Sequence, residues 1–159
     1  MAPVLSFTGE EVWTTLAGND EVSVFEQQWY ALPDLPDSDG AQLAQNWTTI
    51  CAWRAKANKQ IEEVRAAGHI GQSLAAEMDV YAAGNDFDLL SRLGDDLRFV
   101  FITSRATTHR AASEAEQRIV VTPSTHTKCE RCWHYRADVG SNPSHPTLCS
   151  RCVSNLFGE

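Results

Sequence analysis

The apolar residues of this chain recur first with a helical period and then with the period of a strand. Leu43, Trp47, Ile50, Trp53, Ala57, Ile61 and Val64 stand three and four apart, which places them on one face of a helix ending near Gly68. Lys56, Lys59, Glu62, Glu63 and Arg65 fall largely on the other faces. Upstream, Thr8-Gly9-Glu10-Glu11 has the spacing of a capping box, followed by the short apolar face of Val12, Trp13 and Leu16 and a stop at Gly18. Residues 31–40, with two prolines and three aspartates, read as a loop. The two helices suggest part of a helical bundle.

Beyond Gly68 the texture changes. Glu77 to Ala82 alternates polar and apolar positions, as a half-buried strand does. Asp86 to Leu93 predicts a short helix closed by Gly94, and Arg118 to Thr122 a strand ended by Pro123. Leu97 to Ile102 is too apolar and too short to assign to either. The expected fold class is α+β: a partial helical bundle, a small α/β linking unit and a C-terminal module rich in cysteine.

Composition bounds the function. Of 159 residues, 43% are hydrophobic and 21% charged, which is ordinary for a globular chain. The formal charge of −8 argues by itself against nucleic acid, but it is unevenly spread. Residues 1–53 hold eight acids and no Lys or Arg, whereas from Lys128 onward four basic residues face three acidic ones. No apolar run approaches the roughly 18 residues of a membrane span, and the first residues have no signal-peptide character. A cytoplasmic location is expected.

Four of the five cysteines form Cys129-x-x-Cys132 and Cys149-x-x-Cys152, sixteen residues apart. Two cysteines three apart on a tight turn aim both sulfurs at one point, and a second turn completes a tetrahedron suited to one zinc ion. Four thiolates close the coordination shell, so the metal is expected to be structural and to hold together a piece too small to bury a core. Two disulfides would need an oxidising compartment, and a redox dithiol would need only one pair. His126, His134 and His145 read as surface or supporting residues, and Cys51 as a packed apolar residue of the long helix. Between the ligands lie Lys128, Arg131, Trp133, His134, Tyr135, Arg136 and Arg151. Basic and aromatic residues interleaved on a rigid knuckle suit single-stranded nucleic acid. The competing reading makes Trp133 and Tyr135 a small core for the module.

Lys128-Cys129-Glu130-Arg131-Cys132-Trp133-His134-Tyr135, with Leu148-Cys149-Ser150-Arg151-Cys152-Val153-Ser154-Asn155, resembles the C-terminal zinc module of bacterial isoleucyl-tRNA synthetase. The resemblance continues upstream in collinear order, through Leu93-Gly94-Asp95-Asp96-Leu97-Arg98-Phe99-Val100 and Ile70-Gly71 to the segment from Met1 to Trp13. It implies a partial anticodon-binding helical region at 1–68, a linking unit at 69–124 and a zinc-binding module at 125–159. It also implies recognition of an isoleucine-accepting tRNA, with Arg131 and Trp133 at the anticodon and Lys128, Arg136 and Arg151 on phosphates. Arg54, Lys56 and Lys59 would be candidates for the stem, against a plain solvated helix face. His69-Ile70-Gly71-Gln72 departs from the family's adenylation signature at its fourth residue and reads as a turn. With neither the catalytic nor the editing domain, the chain alone is expected to be inactive in aminoacylation. Met1 aligns inside the family's helical domain, so the apolar stripes are expected to need a second copy, a rearranged bundle or another chain. Two other readings stand beside this one: a non-catalytic regulatory or interaction protein derived from the synthetase, and a zinc-knuckle module serving DNA.

Overall fold

The computed structural model describes residues 2–18, 21–33 and 37–158, with the backbone alone at 37–39. Met1 and residues 34–36 of the expected loop lie outside the described residues. The chain divides into one unit through Asp37 and another from Ser38.

In the first unit, helix α1 spans Ser6–Ala17 and ends as predicted at Gly18, whose left-handed φ of 71° suits a residue without Cβ. Its start differs from the predicted capping box. Leu5 precedes the helix with no side-chain cap. The backbone turns back so tightly there that a Cβ on Gly9 would meet the Ala2 Cα at 2.9 Å. Thr8 and Glu11 therefore sit inside the helix. The working carboxylate is that of Glu10, which accepts from the Ser23 hydroxyl and the Val24 N–H, both at 3.0 Å.

Helix α2, Asp37–Ala66, lies in the second unit from Ser38 onward and takes up residues 37–40 of the expected loop. Of the predicted stripe, Ile50, Trp53, Ala57 and Ile61 are buried, whereas Leu43 and Trp47 are about half exposed (45% and 47%). Cys51 is exposed, contrary to the expected packing, because it lies one step around the helix from Ile50. His69 donates its backbone N–H to the Val64 carbonyl at 3.2 Å across Gly68, closing the helix.

Strand β1, Ala76–Ala82, alternates as predicted: Ala76, Met78, Val80 and Ala82 are buried. Helix α3, Gly84–Ser91, and the short helix α4, Leu97–Phe101, lead into strand β2, Arg105–Arg110, which runs parallel to β1. Strand β3, Arg118–Pro123, pairs antiparallel on the other side of β1, giving the order β2-β1-β3. Trp53 of α2, Leu90 of α3, Leu97 and Phe101 of α4 and the inward residues of β1 share one apolar core. The indole N–H of Trp53 keeps a partner there in the Asp86 carboxylate, 2.9 Å away. Ile70 also joins this core, which makes His69 to Gln72 a structural turn.

The other face of the sheet is polar. Arg105 reaches Glu77 at 2.8 Å and Asp79 at 3.0 Å, and His109 Nε2 lies 2.8 Å from Asp79. Among the described residues, no helix is long and apolar enough to cross a membrane. The fold is thus mixed helices and small sheets, of the expected α+β class, completed by the cysteine module.

Candidate metal centre and nucleic-acid interface

A two-stranded ribbon carries the first knuckle. Strand β4, Thr127–Lys128, pairs antiparallel with strand β5, Tyr135–Arg136. The turn between them closes by a Cys129 N–H bond to the His134 carbonyl at 2.8 Å. Trp133 donates back to the Cys129 carbonyl at 2.9 Å. The second knuckle is the start of helix α5, Ser150–Phe157, with Cys149 as its N-cap. Cys149 and Cys152 therefore sit together at the start of that helix. Between the knuckles, Gly140 takes a φ of 83° while a Cβ there would meet the Pro146 carbonyl oxygen at 3.0 Å. Only glycine fits that turn without strain.

These elements bring the sulfurs of Cys129, Cys132, Cys149 and Cys152 within 4.8 Å of one another. Cys132 and Cys149 are 3.7 Å apart, sulfur to sulfur. A tetrahedron with zinc–sulfur bonds of about 2.3 Å has edges of about 3.8 Å, so the spacing fits zinc. Cys129, Cys149 and Cys152 are buried and pack with partly buried Cys132, Val139 and Leu148, and Val153 of α5 is buried as well. Without a cation the buried thiols are not equivalent. Burial pushes the Cys149 thiol up to about 12. Burial opposes ionisation of Cys129 too, but backbone N–H groups at Cys132, Cys149 and Arg131 outweigh it and lower that thiol to about 6. One divalent ion removes the difference by replacing the protons. No fourth-position histidine is needed: His134 Nδ1 meets the Cys132 carbonyl at 3.1 Å, His126 faces Glu77, and His145 stacks on Phe157.

The residues expected to meet nucleic acid separate into two groups. Trp133 has a left-handed φ of 66° and stays 56% exposed, so the module core is built without it. Lys128 Nζ lies 5.2 Å from its ring centroid, a cation–π arrangement. Arg131 is exposed and extends Nη1 to within 3.7 Å of the Cys152 sulfur. Arg136 is half-buried against Asp95 at 3.3 Å and Asp138 at 3.5 Å, and Arg151 lies over the Phe99 ring at 5.0 Å. Tyr135 is half-buried on the ribbon. Sequence reasoning missed the residues that receive the module: Asp95, Phe99 and Ser104, which follow no periodic pattern.

The architecture is that of a four-cysteine zinc finger with one structural zinc ion, and residues 128–155 match the family described as "Zinc finger found in FPG and IleRS". Similarity then extends over the whole chain to the C-terminal part of bacterial isoleucine–tRNA ligases. The chain is 51% identical to "Isoleucine--tRNA ligase" of Bordetella petrii over 99% of its own length and 17% of that protein. It is 54% identical to the protein of that name in Nitrosomonas europaea, covering 99% of this chain and 17% of the relative. For Cupriavidus necator the figures are 53% identity, 99% and 16%. The chain therefore spans about a sixth of the length of the curated relatives it matches.

Proposed function

We propose that this chain supplies tRNA recognition to isoleucine–tRNA ligation in the cytoplasm, acting on the anticodon region of an isoleucine-accepting tRNA. The observation that carries this reading is Trp133. It is a large ring held out from a rigid metal knuckle in a costly backbone conformation, with Lys128 beside it and Arg131 two residues before it. Such a ring stacks on an unpaired base, worth about 1–3 kcal/mol, while the cations meet phosphate or base edges. Cys129, Cys132, Cys149 and Cys152 hold the zinc that fixes the knuckle. Arg136 and Arg151 act mainly through their field on nearby phosphates, because Asp95 and Phe99 already engage them.

The acidic net charge makes bulk attraction weak, so affinity rests on a few placed contacts and is modest for this chain alone. The test is binding of the isoleucine-accepting tRNA against another tRNA at two salt concentrations. Specific binding that weakens with salt and is lost in Trp133→Ala and Arg131→Ala supports the reading. Equal binding of both tRNAs, or none in a zinc-loaded folded protein, refutes it.

A further inference from the structure

Arg98, on α4, is 5% exposed, an unusual place for a guanidinium, and its Nε has no hydrogen-bond partner. Asp95 forms an ion pair with its Nη1, but that carboxylate is more than half exposed and is shared with Arg136. A buried cation with so incomplete a set of partners is expensive. Around it the structure gathers more positive charge. Arg98, Arg136 and Arg151 line one gap together with His134, Asp138 and the sulfur-bearing residues Cys132 and Cys149. Arg98 at 4.4 Å and Arg151 at 5.0 Å both lie over the Phe99 ring, which meets His134 edge-on at 5.6 Å. Two carboxylates, Asp95 and Asp138, face three guanidiniums, so the cluster keeps a positive excess.

Three converging arginines ordinarily suggest a phosphate. The gap between them is only about 20 Å³, room for one water and no more. The anion that does fit is already in the wall. Four thiolates on one divalent zinc carry two net negative charges, and Cys132 and Cys149 form the side of the cluster that faces Arg98.

We propose that Arg98 is the internal counter-cation of the zinc–thiolate cluster, with Arg151 and Arg136 completing the cradle. Metal loading and the seating of the finger against α4 are then a single event. In the metal-free protein the same three guanidiniums lose their anion and work against the seam. Arg98 is a positioning residue, since it acts on the module through the charge of the cluster.

The experiment measures zinc affinity of the 159-residue chain by competition with a chromophoric chelator, and thermal unfolding with and without zinc, for Arg98→Met and Arg151→Met. Loss of an outer-sphere partner weakens metal binding by about 10- to 100-fold, which is the range expected for Arg98→Met. Arg151→Met, at an exposed position, should lose severalfold without threatening the fold. The metal-free Arg98→Met chain should melt no lower than the metal-free parent. Zinc affinity within about twofold of the parent in both variants overturns the proposal. So does an equal loss of stability with and without zinc, which is the mark of a packing role. Should Arg98→Met fail to fold, the affinity of Arg151→Met decides alone.

Discussion

The backbone N–H of Tyr135 donates to the hydroxyl of Ser104 at 2.6 Å, joining the zinc ribbon to the loop that enters β2. Ser104 is fully buried, and its hydroxyl donates in turn to the Leu74 carbonyl. One small side chain thus satisfies two backbone groups from separate elements. Ser104→Ala strands both, and each unsatisfied buried group costs about 1–3 kcal/mol. The expected result is a clear drop in melting temperature and faster amide exchange at Tyr135. An unchanged exchange rate there would mean that the ribbon is held by other contacts.

Zinc removal should act locally. The module core consists mainly of the cysteines themselves, whereas the sheet and α2 share an apolar core that includes none of them. A strong chelator is therefore expected to abolish amide protection across β4, β5 and α5 while β1 to β3 keep theirs. Hydrogen exchange read by mass spectrometry distinguishes this from global unfolding.

Acid should weaken the sheet. Hydrogen bonds from Arg105 hold the Asp79 carboxyl below its ordinary 3.8, despite partial burial. Burial pushes Glu77 up, but hydrogen bonds from Arg105 and Ser124 outweigh it and leave that carboxyl below its ordinary 4.5. A depressed carboxylate binds fewer protons folded than unfolded, so its stabilisation is complete above the unfolded value. That stabilisation is lost as pH falls through the lower folded value. Denaturant midpoints should decline from about pH 5 downward, and the decline should be shallower in Asp79→Asn. An identical acid slope in that variant would assign the loss to other carboxylates.

Trp47 and Trp53 occupy the same helical stripe and look equivalent in the sequence, yet Trp53 is 1% exposed and Trp47 47%. Trp53→Ala should cost about 3–5 kcal/mol, and Trp47→Ala only a fraction of that. Chemical denaturation of the two variants gives the comparison directly.

The same contrast explains what was legible in the chain. Periodicity identified α2, β1 and β3 because each turns one regular face toward the core, and the cysteine spacing identified the metal module because four sulfurs need two tight turns. Periodicity could not tell which half of α2 would be covered. It also missed β2, an edge strand in which Ala106 is the one buried residue and the outward positions are Arg105, Thr107 and His109. A single small inward residue leaves no alternation to read. The Leu97 to Ile102 run, ambiguous by composition, becomes helical because Leu97 and Phe101, four apart, both reach the core, and Ile102 then turns out with a φ of 56°. Seam residues such as Ser104 and Arg98 depend on a neighbour far along the chain, so no local pattern marks them.

Trp133 allows stability and the proposed recognition to be separated. A left-handed conformation costs a residue with a Cβ roughly 1–2 kcal/mol, of which glycine regains part after its greater unfolded-state entropy is deducted. Trp133 has a φ of 66° and more than half its surface in solvent, so little packing is lost on its removal. Trp133→Gly is therefore expected to melt at or slightly above the parent temperature, and Trp133→Ala, which keeps the strain, at or slightly below it. Both remove the stacking ring, worth about 1–3 kcal/mol per base, and should weaken tRNA binding by the same factor. Calorimetric melting of the zinc-loaded proteins and tRNA titrations at fixed salt provide the two readings. A glycine variant that loses stability while retaining tRNA affinity would make Trp133 a packing residue and move recognition elsewhere on the module.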